Sequence, residues 1–342
     1  MSVEKLKNLR SLVSKQYDTA IAAGDAFFYD SQVNIAKVDG VDNVVPWHVR
    51  NVPALLKKPK AASESQKESE KPQQNPVDVF APPYVPNLLV QELEEFTVLL
   101  NKYCVLPHHF LLVTREFVKQ ELPPAPNMLA QAYRIIQAHP TETGSEMLGF
   151  FNCGPNSGAS QPHCHFQFVE LRPCAPGKPG IPIEALLDHI EKDGKEMEHV
   201  HMLPVPWRHF VVLLDPPADP SNLEDYLGTR FSQLLELMFA TAREKEDLQH
   251  GLPQRPSFNV LLTSRTLHVV PRRTEHFDLI HAGWGRYADG GAQAAPYSGT
   301  LSVNALGYAG LLLTRHTDEL EALCTDESER ILQVLTHTGV AI

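Results

Sequence analysis

Cysteine is scarce in this chain of 342 residues. There are five (Cys104, Cys153, Cys164, Cys174 and Cys324), an odd number, and no two are spaced CxxC. Such a set fits a reducing compartment and argues against a cysteine-rich zinc site. Cys153 and Cys164 read as small buried fillers. Long apolar runs are missing too. None is long enough to span a bilayer, and the opening MSVEKLKNLRSLVSKQY lacks the apolar core of a signal peptide. The expected setting is the cytoplasm, with no membrane partner. Nor is there excess positive charge: the formal net charge is −11, which argues against a dedicated nucleic-acid surface. A cleft for phosphate must therefore be locally positive within a negative molecule. What is present is 43% hydrophobic and 21% charged residues, the make-up of a globular chain of one large domain or two ordinary ones.

One stretch organises the rest: Asn152 to Leu171, NCGPNSGASQPHCHFQFVEL. Its first half is small and polar. Its second half alternates. His163, His165, Gln167 and Val169 fall on one face of an extended strand, and Cys164, Phe166 and Phe168 on the other. The second set can pack on a core. Two imidazoles and an amide beside a loop rich in backbone N–H groups suit a phosphate. Glycines admit close approach, serines add donors, and an imidazole supplies a nucleophile.

His163-Cys164-His165-Phe166-Gln167 resembles the HxHxQ signature of the transferase branch of the histidine triad superfamily. The preceding SGASQPH is similar to the diadenosine tetraphosphate phosphorylases, also called ATP adenylyltransferases. That resemblance implies an α+β fold, mainly an antiparallel sheet flanked by helices, with two half-folds in one chain. The chain in order fits this. Residues 3–23 have the spacing of an amphipathic helix ended by Gly24, and strands are expected at 26–38 and 44–52, within an N-terminal unit of residues 1–60. In the segment from Pro53 to Lys60, Lys58 matches a family lysine that contacts substrate phosphates. Residues 61–79 carry almost no apolar groups and read as a disordered loop. Residues 80–175 hold the catalytic half-fold: a hairpin at 96–105 and 110–117, a helix at 126–139, a strand at 147–152 and then the catalytic strand. By the same match Asn101 and Lys102 are substrate contacts, whereas His108 and His109 are expected to be structural.

Residues 176–342 read as a second, degenerate half-fold, with a charged helix at 183–198, a strand at 210–214 and a long helix at 221–247. His199 and His201 are taken as incidental. The hairpin Asn259–Thr263 and Leu267–Arg272 echoes the first half, NVLLT against FLLVT. The block LSVNALGYAGL is similar to the family's FNSxGYxGM block and implies nucleotide contacts at Asn304, Ala305 and Leu306. Leu311 stands where the family has methionine, and Arg315 where it has lysine.

The implied activity is cleavage of diadenosine tetraphosphate by inorganic phosphate to ATP and ADP. His165 would carry the adenylyl group. His163 would orient its surroundings, and Asn152, Gly154, Ser157, Gly158, Ala159, Ser160 and Gln161 would surround the phosphates. Gln167 cannot donate a proton to a leaving group, which points to transfer rather than hydrolysis. No tightly bound cofactor or protein metal site is expected, although magnesium could accompany the nucleotide, and one chain should suffice as a monomer. Two alternatives remain: a hexose-1-phosphate uridylyltransferase or sugar-nucleotide phosphorylase of the same fold, and a non-catalytic nucleotide-binding regulator.

Overall fold

The computed structural model describes residues 6, 8–39, 44–54, 78–139, 145–173, 179–187, 190, 199–244, 256–284, 299–325 and 327–342. Lys58 and residues 61–77 lie outside these.

The first helix, α1 (Leu9–Ala23), buries Leu9, Val13, Tyr17 and Ala20 at helical spacing. It ends at Gly24, whose left-handed φ of 75° lets its N–H reach the carbonyls of Ala20 and Ile21. Strands β1 (Phe27–Phe28), β2 (Gln32–Asp39) and β3 (Val44–Asn51) follow. Then come β4 (Leu89–Glu92), β5 (Phe96–Leu100), β6 (Tyr103–Cys104) and β7 (Phe110–Thr114). Helix α2 (Pro126–Gln137) opens on a proline at its first turn, where the missing N–H is harmless. It leads into β8 (Glu146–Cys153) and β9 (His165–Leu171), the strand of the motif.

The second half contributes β10 (His201–Met202), β11 (Phe210–Leu213), helix α3 (Leu223–Glu244), β12 (Phe258–Leu262), β13 (Thr266–Pro271), β14 (His276–Asp278) and β15 (Thr300–Ser302). The chain closes with α4 (Ala305–Ala309), β16 (Leu311–Thr314), α5 (Thr317–Cys324) and α6 (Glu327–Thr338). In place of the expected helix from residue 183, Pro182–Leu186 form a 3-10 turn, with Leu187 and Ile190 helical; residues 191–198 are outside the description.

Nine strands form one sheet in the order β10-β11-β13-β12-β8-β9-β7-β5-β4, every neighbour antiparallel. One face, with Cys164, Phe166 and Phe168, packs into a core with residues of α1, α2 and α3. The other, with Phe150, Val169 and Leu261, packs beneath the three-stranded sheet β16-β3-β2 and the C-terminal helices. A one-residue slip of β9 would exchange the faces, exposing rings worth about 2 kcal/mol or more each. Burial thus fixes which way the imidazoles point. Towards β7 and β5 the second face carries a small cluster of Leu99, Leu111 and Val113, with Phe80, Tyr84 and Leu89 against them. The N-terminal strands do not stand apart: β3 runs parallel to β16, with His48 opposite Leu311.

The registers expose an internal two-fold. In the first half Phe110, Leu111 and Leu112 face Phe168, Gln167 and Phe166. In the second, Phe210, Val211 and Val212 face Val269, His268 and Leu267. Phe150 lies opposite Gln167 as Leu261 lies opposite His268, and Phe150 and Leu261 pair with each other at the centre. The image of β7 is therefore β11, and the image of β8 is β12. This corrects the echo of FLLVT with NVLLT. Both strands are apolar on both faces and look alike in sequence, but they hold different places in the sheet. The image of Gln167 is His268, that of His165 is Thr266, and that of His109 is His209.

Candidate active site

Strands β8 and β9 splay apart after Phe150 and Gln167, the last pair on their ladder. Continuing that register puts Asn152 opposite His165. The gap is bridged by Gln120, which is 2% exposed. Its Oε1 accepts from the His165 N–H at 2.7 Å and its Nε2 donates to the Asn152 carbonyl at 2.7 Å. The opened strands admit the glycine-serine loop. Gly158 (φ 82°) sits against the block at Asn304: a Cβ there would lie 2.7 Å from Asn304 Cβ. Any side chain would push the loop off that block, so the two stretches singled out in the sequence meet where only glycine fits.

His165 is 2% exposed, and its Nδ1 donates to the His163 carbonyl at 2.8 Å. That bond leaves Nε2 as the ring's lone-pair nitrogen. Burial, opposed by this bond, lowers the pKa to about 4, so the imidazole is neutral at physiological pH. His163 is braced at both nitrogens, Nδ1 by Asp78 Oδ2 at 2.8 Å and Nε2 by the Thr114 carbonyl at 2.8 Å. The Phe80 ring centre lies 5.0 Å from that of His165, and Phe117 lies 5.3 Å from His163. Asp78, inside the stretch 61–79 expected to be a disordered loop, is thus ordered against His163, and together with Phe80 just beyond that stretch it clamps the pair.

Gln167 is oriented by His109. His109 Nδ1 takes a hydrogen bond from Asn101 Nδ2 at 2.9 Å, so its Nε2 carries the proton and donates to Gln167 Oε1 at 3.1 Å. The Gln167 amide nitrogen then faces away from His109. His109, expected to be structural, acts on the motif directly. Asn101 stands behind it, donating also to the Tyr103 carbonyl at 3.2 Å.

Asn152 Oδ1 accepts from Asn259 Nδ2 at 2.8 Å and from the Ala305 N–H at 3.0 Å. Its Nδ2 is buried without a hydrogen-bond partner among the described residues. Behind Asn259 is Arg272, 5% exposed, whose Nη1 donates to Asn259 Oδ1 at 2.6 Å. The motif reading did not single out Gln120, Asp78, Phe80, Asn259 or Arg272 for the site. The second hairpin carried Asn259 and Arg272, but no pattern gave them a role.

The other expected contacts fall as follows. Ser157 is fully buried and gives its hydroxyl to the Gly154 carbonyl at 2.6 Å, bracing the loop from within. Ala159 and Gln161 are half-buried and Ser160 is exposed. Lys102 is exposed, its Nζ 5.8 Å from the Tyr103 ring centre. Asn304 Oδ1 caps α4 by accepting from the Leu306 N–H at 3.0 Å. Leu306 and Leu311 are core residues at 3% and 1% exposure. Arg315 is tied to the Thr300 carbonyl and to Glu319. Cys153 and Cys164 are buried and their thiols are pushed up to about 12 by burial. Among the described residues no three His, Cys, Asp or Glu side chains are grouped to hold a metal.

The image of this site in the second half is closed. His209 and His268 are fully buried and paired, Nε2 to Nδ1, at 3.0 Å, and His268 Nε2 lies 2.8 Å from Thr266 Oγ1. Burial lowers the pKa of His268 to about 3 and that of His209 well below its usual value. With His165, three imidazoles are held neutral. Unfolding releases them to take up protons near pH 6.5, which the folded chain refuses until about pH 4 or lower. The unfolded state then binds more protons, and stability falls as pH drops through that window. Glu184, whose pKa burial raises, works in the opposite sense from the unfolded carboxylate value upward. At one pKa unit per ~1.4 kcal/mol, the shifts of His165 to about 4 and His268 to about 3 correspond to about 3 and about 5 kcal/mol, and His209 adds in the same direction. The melting temperature should be flat above pH 7 and fall by roughly 10 °C on acidification to pH 5. A melting curve unchanged at pH 5 would contradict the neutral assignment.

Two family models tile the chain. Residues 2–189 match the Ap4A phosphorylase N-terminal domain and residues 203–341 the ATP adenylyltransferase C-terminal domain. Diadenosine 5',5'''-P1,P4-tetraphosphate phosphorylase 2 of Saccharomyces cerevisiae is 29% identical over 309 residues, covering 85% of this chain and 82% of that protein. Protein APA1 of the same yeast is 26% identical over 344 residues, covering 97% and 94%. Among solved structures, yeast Ap4A phosphorylase Apa2 in complex with Ap4A superposes with a TM-score of 0.70 at 25% identity, covering 98% of both chains.

Proposed function

Because the chain belongs to the Ap4A phosphorylase family, we propose that it cleaves diadenosine tetraphosphate with inorganic phosphate, giving ATP and ADP through an adenylyl group carried on His165. The observation that carries this reading is the His165 ring itself. Its Nδ1 proton is committed to the His163 carbonyl and its Nε2 lone pair is neutral at working pH. Nε2 attacks the α-phosphorus of one adenylyl end, the bond from that phosphorus to its bridging oxygen breaks, and ATP leaves as an anion. An oxygen of phosphate then attacks the adduct, the phosphorus–nitrogen bond breaks, and ADP leaves. Neither leaving group needs a proton, which suits an amide rather than an acid at Gln167. The Asn152 amide nitrogen, lacking a partner among the described residues, is the donor for charge that grows on the phosphoryl oxygens.

On this reading Gly154, Gly158, Ala159, Ser160 and Gln161 line the polyphosphate, with Lys58, Lys102 and Arg315 as its candidate cations. Ala305 and its neighbours Asn304, Leu306 and Leu311 shape the wall behind it. Magnesium enters with the nucleotide rather than on a protein site. A single chain is the working unit, in the cytoplasm, with no nucleic-acid partner. The test is a panel of dinucleoside polyphosphates and sugar nucleotides, each with and without phosphate, products resolved by chromatography. Diadenosine tetraphosphate should give equal ATP and ADP, only when phosphate is present. Phosphate-independent AMP, or turnover of sugar nucleotides alone, overturns the reading.

A further inference from the structure

Arg272 is a buried cation whose five N–H groups all have acceptors: the carbonyls of Thr338, Ser157, Thr274 and Val303, and Asn259 Oδ1. None of the five is a carboxylate. A guanidinium can only donate, so it fixes everything beyond it. Asn259 must turn its oxygen to Arg272 and its nitrogen the other way, to Ser157 O at 2.9 Å and Asn152 Oδ1 at 2.8 Å. Asn152 must then turn its oxygen to Asn259 and to the Ala305 N–H. Its nitrogen is left without a partner among the described residues, on the residue that the continued strand register sets opposite His165. Four segments far apart in sequence converge on one guanidinium to set the sense of one amide.

We infer that Arg272 and Asn259 are positioning residues for adenylyl transfer: through an amide relay they hold the Asn152 nitrogen, not its oxygen, towards the phosphoryl group. This rests on the phosphorolysis reading. The relay gives a polarity that geometry alone would not, since an asparagine turned by 180° fills the same space but presents an acceptor to an anion. It also explains why a buried cation is wired to a loop and an N-cap block, not to an acidic partner.

Two substitutions at Asn259 separate positioning from support. Asn259→Asp offers Arg272 a carboxylate but places an oxygen against Asn152 Oδ1. The Asn152 amide must then turn over or lose its anchor. Asn259→Leu removes the polar atoms at similar volume; Asn152 keeps its bond from Ala305, while one guanidinium N–H loses its acceptor. The relay predicts that kcat falls about 10²-fold or more in Asn259→Asp and less in Asn259→Leu. Melting temperatures should run in the opposite order, with the leucine variant the less stable. AMP affinity by calorimetry should follow kcat, the aspartate variant binding more weakly. If kcat and AMP affinity instead follow the melting temperatures, or if Asn259→Asp stays within threefold of wild type, the inference falls. A wild type that binds AMP but does not cleave diadenosine tetraphosphate sinks the functional reading alone, and the AMP affinities still decide the relay. A wild type that does not bind AMP sinks both.

Discussion

His165→Ala lowers kcat by about 10⁴-fold or more, the scale seen when a nucleophile that works as part of a unit is removed. Neither His163 nor His109 can take its place. His163 is committed at both ring nitrogens to Asp78 and Thr114, and His109 is turned to Gln167. The variant should remain folded, because the strand is held by the phenylalanine face and by the Gln120 bridge to backbone atoms, none of which involves the His165 ring. In the wild type, brief mixing with diadenosine tetraphosphate in the absence of phosphate should trap an adenylyl adduct, labile in acid and stable in base, at one equivalent per chain. A folded His165→Ala variant turning over within tenfold of wild type would end the covalent mechanism.

The second large effect is expected at Gln167, and the silent half shows how the substitution would sit. There the image of Gln167 is His268, bonded through Nδ1 to His209 as Gln167 is bonded to His109. In Gln167→His the new imidazole should adopt the same arrangement, accepting from His109 and turning its other nitrogen to the substrate. His268 is fully buried and its pKa is held down to about 3. Gln167 is only half-buried, so an imidazole there is less penalised and exchanges protons nearer neutrality. General acid–base help is typically worth 10²-fold or more. Water then competes for the adenylyl group, and AMP should appear at the expense of ADP when phosphate is limiting. The AMP-to-ADP ratio should rise at least about tenfold over wild type. An active variant with the wild-type ratio at every phosphate concentration would show that the acceptor is chosen elsewhere, in the loop from Ser157 to Gln161 or by the lysines.

How much of this was legible beforehand follows from the range of each interaction. The alternation of His163 to Val169 is written in adjacent residues, because a strand's period is two, and the sheet obeys it. The glycine-serine loop and the Asn304 block were recognisable as stretches, though not as neighbours: Gly158 meets Asn304 only because the fold brings the loop there. Asp78 reaches His163 across 85 residues. It stands at the end of a polar tract with no periodicity, so nothing local marks it. Gln120 is a polar residue in an irregular segment and would pass for a surface turn, yet it is 2% exposed and bridges two strands. Arg272 closes an apolar run and looks like an ordinary strand end. Four of its five partners lie 13 or more residues away in the chain. The miscast echo between FLLVT and NVLLT has the same root: strands buried on both faces carry little pattern, and the sheet order that distinguishes them is not in their letters.

The internal two-fold puts the working centre beside a seam. The nucleophile comes from one half, and Asn259, Arg272 and Ala305 from the other. Were the halves separate chains, each catalytic event would depend on their meeting, and the fraction assembled would rise and fall with concentration. Joined in one polypeptide, each half meets the other at an effective concentration of millimolar order, set by the connecting chain and not by how much protein a cell makes. Mass action no longer governs whether the site exists. The two faces of the seam are also free to differ: one side keeps the nucleophile, and the other, relieved of it at Thr266, can serve as the frame.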